Sequence, residues 1–272
     1  MSKLKKLFLT ELTRATAGWD SIAVALSSGV DSTAVMLGLL ELGKEVTAYT
    51  FHVDGIDSQD FKHAKKNAKE FGVEFVEVIL PRKAELKKIV ELIKDYGLRK
   101  KTDIECAYPF MFLLPEVIQD ILITGSCADG HFCLSKKGMI NYRGTIEKMK
   151  EFRTALFSNP NYAQVQTLGT YALDNFEIIV DNPFNKEAIV EYFMPLSWDA
   201  VNKPKQKQPI LDMFPKEFSR IKRFNHTNLQ CGDSGLRETF EYLLNNKQIN
   251  QMGRKRMLDV YRDMSVLFGE KK

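Results

Sequence analysis

Residues 22–40 constrain the fold of this chain more than any other stretch. Ile22 to Leu26 is a continuous apolar run, which is typical of a strand buried on both faces. Small residues interrupt the run at 27–29, and from Asp31 onward the apolar positions recur at helical spacing. The pattern predicts a strand, a short loop and a helix. Such a loop lies at the positive end of the helix dipole, where backbone N–H groups bind anions.

Hydroxyl side chains crowd this loop. The residues in and beside the loop that we predict to bind a cofactor are Leu26, Ser27, Ser28, Gly29, Asp31, Ser32 and Thr33. No Gly-Lys-Ser/Thr follows, so the loop is not the common P-loop. A plain strand–turn–helix unit capped by serine is the alternative interpretation.

Strands and helices alternate along the first half of the chain. Apolar runs predict further strands at 46–53, 75–80 and 121–124, with amphipathic helices between them. We predict an α/β fold, a doubly wound and mostly parallel sheet, with a helical C-terminal layer. The expected organisation is a lead-in helix over 1–18, the main domain over 19–245 and a C-terminal helix over 246–272.

Composition narrows the class of protein. With 272 residues and 44% hydrophobic content, the chain can bury a full core. No run of eighteen apolar residues predicts a membrane span, and a net charge of +4 does not demand a polyanionic partner. The four cysteines form no C-x-x-C pair, which favours reduced thiols, a cytoplasmic location and no structural zinc.

A second carboxylate follows the predicted strand 121–124. If that strand lies beside the first one, Asp129 and Asp31 come close together, and two carboxylates beside a triphosphate form a magnesium site. Alternatively, Asp129 caps a helix. His52 and His131 are candidate acid–base residues, although such histidines more often have structural roles.

Two motifs resemble a known family. Ser27-Ser-Gly-Val-Asp-Ser32 resembles the pyrophosphatase loop (PP-loop) of N-type ATP pyrophosphatases, S-G-G-x-D-S, with Ser28 at the first glycine. Residues 123–132 are similar to the second motif of the asparagine synthetase synthetase domain, T-G-E-G-x-D-E-x-F-G-G-Y. Gly125, Asp129 and Phe132 match that motif, whereas Ser126 replaces its glutamate. Residues 182–185 and 203–235 match later segments of the same synthetase domain more loosely.

The resemblance implies an adenine nucleotide alpha hydrolase-like fold that binds ATP and Mg²⁺. It places pyrophosphate on the loop, Gly125 and Ser126 beside the nucleotide, and the metal on Asp31 and Asp129. The adenine would lie along the end of the second strand, at Phe51, His52 and Val53. The family's catalytic lysine falls near Thr227 or Asn228, where this chain has none. Basic residues that could replace it are Lys205, Lys207, Lys222 and Arg223, and we select Lys205 and Lys207.

The implied activity is an ATP-dependent ligase. It would adenylate a carboxylate or amide oxygen, release pyrophosphate and transfer the acyl group to ammonia or an amine, with a small-molecule acid and amine as substrates. Ser2 stands where glutaminase domains of the family carry a nucleophilic cysteine, so we expect no glutamine hydrolysis. Ammonia, another amine or a separate amidotransferase would supply nitrogen.

Two alternatives remain open. The basic stretch 203–223 could recruit nucleic acid for base modification in tRNA or DNA, although the paired cysteines of thiolating relatives are absent. The second alternative is a nucleotide-binding module that has lost its catalytic activity.

Overall fold

The computed structural model describes residues 1–158, 164–222 and 234–268. Within them, five strands form one parallel sheet in the order β3-β2-β1-β4-β5. The strands are β1 (Ser21–Ala25), β2 (Glu45–Val53), β3 (Glu74–Leu80), β4 (Ile121–Thr124) and β5 (Ile179–Asp181). The predicted fold class, a doubly wound parallel α/β sheet, is confirmed.

Helices cover both faces of the sheet. They are α1 (Lys3–Ala15), α2 (Val30–Glu41), α3 (Gln59–Glu70), α4 (Leu86–Lys94), α5 (Lys101–Ala107), α6 (Phe110–Leu113), α7 (Lys136–Tyr142), α8 (Ile146–Phe157), α9 (Gln164–Phe176), α10 (Glu187–Phe193), α11 (Trp198–Asn202), α12 (Gln208–Leu211), α13 (Pro215–Arg220), α14 (Leu236–Asn245) and α15 (Met257–Phe268). Two short 3₁₀ helices span Leu114–Glu116 and Ala128–His131.

The central strand β1 shows why its sequence is apolar without alternation. Ile22 and Val24 belong to one hydrophobic cluster, with α1, α2, α3, α10 and α12, whereas Ala23 belongs to the other. That second cluster contains residues of α4, α5, α6, α9, α14 and α15. Successive side chains of a strand point to opposite faces, so both faces of β1 are buried and both must be apolar.

The strand order creates a switch point between β1 and β4. From β1 the chain builds outward through β2 and β3, then returns to the other side of β1 to form β4 and β5. Ala23 pairs with Leu122 and Ala25 with Thr124 in the parallel register. The loops after β1 and β4 therefore leave the same edge of the sheet in opposite directions, and ligands of such folds bind there. The condition under which Asp31 and Asp129 come close together, adjacency of the first and fourth strands, is met.

Sequence patterns missed several elements. The strand β5 has three residues on the sheet edge, too few for a period to show. The helices α5, α7, α9 and α11 were also not predicted. The described part of the basic stretch 203–223 contains two short helices, α12 and α13, each with a proline in its first turn. No helix in the described part of the chain is long and apolar enough to cross a membrane.

Candidate active site

The loop after β1 is held by its own serines. The Ser27 N–H donates to Ser32 Oγ at 3.0 Å, the two hydroxyls of Ser27 and Ser32 are 2.9 Å apart, and the Gly29 N–H donates to Ser27 Oγ at 3.1 Å. The Thr33 N–H makes the bond to Gly29 O, 3.2 Å long, that closes the first turn of α2. The N–H groups at 30–32 precede that bond, so they are first-turn donors that helix geometry leaves to an external acceptor. A small anion-binding loop results.

Ser28 has a different set of contacts. Its N–H and hydroxyl both donate to Asp60 Oδ1, at 2.9 and 2.5 Å, and the residue is buried. Ser28 does not have a positive φ, so its backbone does not need the glycine usual at this motif position. The departure from S-G-G-x-D-S is therefore compatible with an ordinary loop conformation.

Gly125 brings the end of β4 against the start of α2. A Cβ atom at this position would lie 2.7 Å from the backbone nitrogen of Ser32 and 3.0 Å from the carbonyl carbon of Asp31. Backbone atoms in a helix cannot retreat as a flexible side chain can, so only glycine fits. This close approach sets how near the β4 loop comes to Asp31.

Asp31, Asp129 and Lys207 meet at this edge of the sheet. The Lys207 ammonium donates to Asp31 Oδ2 in a very short contact and to Asp129 Oδ1 at 2.6 Å. The side chain of Lys207 is only 6% exposed, against 16% for Asp31 and 50% for Asp129. Asp31 lies in the first turn of α2, and Asp129 lies inside a 3₁₀ helix rather than at its N-cap. Of the two lysines that the sequence singled out, Lys205 is exposed.

The backbone of Lys207 is strained where its side chain enters the site. Its φ is +60°, in the left-handed region that costs a residue with a Cβ about 1 kcal/mol or more. The Lys207 N–H donates to Asn202 Oδ1 at 3.4 Å, and the Asn202 amide in turn donates to Phe132 O at 2.9 Å. Asn202 thus ties the lysine to the segment that follows Asp129. An unfavourable φ retained at a buried lysine points to a requirement for its side chain.

Charge keeps Lys207 protonated. Burial lowers the pKa of Lys207, but the carboxylates of Asp31 and Asp129 outweigh burial and raise the pKa above its ordinary value. One ammonium between two carboxylates leaves this charged cluster with a net charge of −1 when both carboxylates are ionised. A cation, or an anion that carries a bound cation, fits such a site better than a neutral molecule.

The donor set suits a magnesium ion that shares its ligands with phosphate. Two convergent carboxylates are hard oxygen ligands, and Mg²⁺ commonly takes one or two of them together with phosphate oxygens. No group of three or more His, Cys, Asp or Glu side chains among the described residues forms a self-sufficient metal cage. The residues present therefore fit a nucleotide-bound ion.

His131 is a structural residue. It is fully buried, stacks between the rings of Phe157 and Phe193 at 4.5 and 4.3 Å, and contacts Phe184 O through Nε2 at 2.7 Å. Burial lowers its pKa to about 3, so the ring is neutral at ordinary pH and Nε2 carries the donated hydrogen. A proton shuttle needs solvent or substrate contact, which this ring lacks.

Arg153 stabilises the segment that contains His131. Its guanidinium is fully buried and donates to His131 O at 2.8 Å and to Leu196 O at 2.6 Å. Burial lowers its pKa to about 10, which still leaves it charged. His131 ends the 3₁₀ helix that carries Asp129, so Arg153 fixes one end of that helix.

The end of β2 shows how the expected base-binding residues are engaged. His52 Nε2 lies 2.7 Å from Glu77 Oε1, and its ring lies 4.5 Å from that of Phe61, on the α3 side. The Val53 N–H donates to Ser234 O at 3.0 Å, and Phe51 packs against the opposite cluster. An adenine that used the Val53 N–H would replace the Ser234 bond.

Some expected residues fall outside this description. Arg223, Thr227, Asn228 and Cys231 lie outside the described residues. Ser126 is half-buried, and its N–H contacts Thr124 Oγ1 at 3.4 Å. Sequence reasoning missed Asp60, Asn202 and Arg153, because each acts through a contact at least 22 positions away in the chain or through a carbonyl group. No local pattern marks them.

Fold and loop together define a PP-loop protein with a nucleotide-binding edge at β1 and β4. The chain belongs to the asparagine synthase family, whose model matches residues 3–168. This is a family of ATP-utilising PP-loop enzymes. The match includes Asp31, Asp60 and Asp129, and ends before Lys207.

Other comparisons are more distant. No curated protein matches the sequence. Among solved structures, a predicted subunit of a tRNA methyltransferase from Methanocaldococcus jannaschii is 19% identical, with a TM-score of 0.35, and covers 64% of this chain and 75% of its own. The U34-tRNA thiolase NcsA from Methanococcus maripaludis, solved with a 4Fe–4S cluster, is 14% identical, with a TM-score of 0.41, and covers 97% of this chain and 80% of its own.

Proposed function

We propose that the chain is an ATP-dependent adenylating ligase that activates a carboxylate or amide oxygen and passes it to ammonia or an amine. The observation that carries the proposal is the Lys207 ammonium between Asp31 and Asp129, beside the phosphate loop. A cation, two metal-type carboxylates and an anion loop at one sheet edge are the parts that splitting of ATP between its α- and β-phosphates requires.

Each residue has a part in this proposal. The N–H groups of the first turn of α2, with the hydroxyls of Ser27 and Ser32, would bind the β- and γ-phosphates. Asp31 and Asp129 would hold Mg²⁺ with phosphate oxygens, and the ion would offset the charge of the departing pyrophosphate. Lys207 has three N–H donors, of which the carboxylates take two, leaving a third for an oxygen of the substrate.

Retained chemistry is favoured over a lapsed module by the backbone of Lys207. A chain that had lost catalysis would gain stability by placing glycine or asparagine at φ +60°. A lysine at this position, with its ammonium buried among carboxylates, is instead expected where the charge is used.

A small-molecule substrate is favoured over nucleic acid by the ion pairs of the basic stretch. Lys203 pairs with Asp199 at 2.6 Å, Arg220 with Glu70 at 2.7 Å, and Lys207 with the two site carboxylates. Cations already paired within the protein contribute little to phosphate binding, because only neutralised phosphates release counterions.

The test is ATP–pyrophosphate exchange with the purified chain, using panels of carboxylic acids, amides and total tRNA. We expect exchange with a small acid or amide, products AMP and pyrophosphate, and use of ammonium but not glutamine. The matched control is Asp129→Asn, which should abolish exchange. Formation of ADP and phosphate would contradict the loop assignment, and exchange that required tRNA would favour the base-modifying alternative. Absence of exchange with every candidate, from a chain that binds ATP, would favour the lapsed module.

A further inference from the structure

We propose that Asp60 is a positioning residue for the phosphate loop, acting through Ser28. This inference rests on the proposed function, since it concerns how the loop presents its donors to the phosphates of ATP. Asp60 lies in the first turn of α3, 32 positions after Ser28, and belongs to no part of the family motifs.

Two hydrogen bonds define the contact. Asp60 Oδ1 accepts both the N–H and the hydroxyl of Ser28, at 2.9 and 2.5 Å, and Ser28 is only 6% exposed. Bonds from neutral donors to a carboxylate are shorter and stronger than neutral pairs. Ser28 is thereby fixed between β1 and α2, at the one loop position where this chain departs from the S-G-G-x-D-S pattern.

The α3 helix holds Asp60 in turn. Ser58 caps α3 by accepting the Phe61 N–H at 3.1 Å, which fixes the turn that contains Asp60. A carboxylate in a first helical turn is also stabilised by the helix dipole. The contact therefore joins the N-terminus of α3 to the loop that precedes α2.

These bonds determine which hydrogen-bond donors of the loop are available to a bound anion. Ser28 donates its N–H and its hydroxyl to Asp60, whereas the N–H groups at 30–32 precede the first intrahelical bond of α2 and are left for an anion. With Asp60 removed, the Ser28 donors and the loop around them are no longer held. Binding of the β- and γ-phosphates should then weaken, whereas a nucleotide without those phosphates should be unaffected.

The acceptor and the negative charge of Asp60 can be separated. In Asp60→Asn the amide oxygen can accept both Ser28 bonds without the charge, whereas Asp60→Ala loses both. A positioning role needs the acceptor. The charge itself repels a phosphate anion, so its removal alone should leave ATP affinity unchanged or higher.

The experiment measures the affinities of ATP, pyrophosphate and AMP by calorimetry for the wild-type chain, Asp60→Ala, Asp60→Asn and Ser28→Ala. Asp57→Asn is the matched control, because Asp57 lies in the same connection and pairs with Lys62. We expect Asp60→Ala to weaken ATP and pyrophosphate about tenfold, the equivalent of one strong hydrogen bond, with AMP affinity changed less than about twofold. Asp60→Asn should restore ATP binding, and Ser28→Ala should fall between.

Hydrogen exchange at the Ser28 amide supplies a second readout that does not depend on nucleotide. We expect faster exchange in Asp60→Ala than in the wild-type chain and in Asp60→Asn. Equal ATP affinity in Asp60→Ala and wild type, or parallel loss of ATP and AMP, would overturn the role of Asp60 and leave the proposed function intact. A wild-type chain that bound no ATP would instead overturn the proposed function and this role together.

Discussion

The two sides of the site are built in opposite ways. The phosphate-loop side is one continuous stretch, β1 to α2. Its contacts among Ser27, Gly29 and Ser32 span at most five positions, and its one long-range contact joins Ser28 to Asp60. The lysine side consists of the β4 loop with Asp129, the short helices α11 and α12 and an irregular connection, and it brings Lys207 to Asp31 across 176 positions. Local sequence specifies most of the first side, and tertiary packing specifies the second. Asp60 apart, the loop side should therefore tolerate changes elsewhere in the fold better than the lysine side.

The largest effect should come from the lysine itself. Lys207→Met removes the ammonium between Asp31 and Asp129 while keeping most of the apolar stem, and we expect turnover to fall by about 10²-fold or more. The measurement is the exchange rate at saturating ATP. Lys205→Met is the control, because Lys205 is exposed two positions earlier, and it should stay within about twofold. Equal losses in both variants would mean that the segment, rather than Lys207, matters.

The next effect tests how the lysine side is supported. Arg153→Met leaves the carbonyl oxygens of His131 and Leu196 without their buried donor, so the free energy of unfolding should fall by about 3 kcal/mol. Urea unfolding measures this change. Arg237→Met, which removes a surface arginine paired with Glu241, should change the free energy by about 0.5 kcal/mol or less. A small effect of Arg153→Met would show that the buried arginine does not stabilise this side.

The contact between the two sides can be tested at Gly125. An added methyl group would meet the Ser32 backbone at 2.7 Å, so Gly125→Ala should destabilise the chain by about 2 kcal/mol and reduce ATP affinity. Gly144→Ala is the control, because a Cβ there has no heavy atom within 4 Å. Thermal unfolding and ATP calorimetry provide the two readouts. Wild-type behaviour of Gly125→Ala would disprove the close approach of β4 and α2.

The smallest effect concerns pH and His131. Burial lowers its pKa to about 3, whereas the unfolded chain has an ordinary histidine near 6.5, so between these values only the unfolded state binds the proton. Stability therefore rises with pH over this window, by about 1 kcal/mol per pH unit from this residue. His131→Phe should have a smaller difference in unfolding free energy between pH 5 and pH 7 than the wild-type chain. Identical differences would place His131 in contact with solvent.

Sequence reasoning succeeded where the residues that determine a structure lie within one stretch of the chain. The buried strand, the serine loop and the helix of 22–40 follow from apolar pattern and small residues alone, whereas the position of β4 beside β1 entered the sequence argument only as a condition. It could not choose between Lys205 and Lys207, which share charge and neighbourhood. Burial and a positive φ distinguish them, and both depend on packing of α12 against α2. The Asp60 contact was beyond reach for the same reason.

The hydrogen bond from Val53 to Ser234 has a consequence for nucleotide choice. Because the Val53 N–H already has an acceptor, a base that bonds to it exchanges one partner for another, and the net gain in binding free energy is close to zero. If the base lies there, as the resemblance implies, we expect most of the affinity to come from the phosphate end of the nucleotide. Selectivity for adenine over other purine bases should accordingly be modest, and a triphosphate tail, rather than the base, should decide which molecules the chain retains.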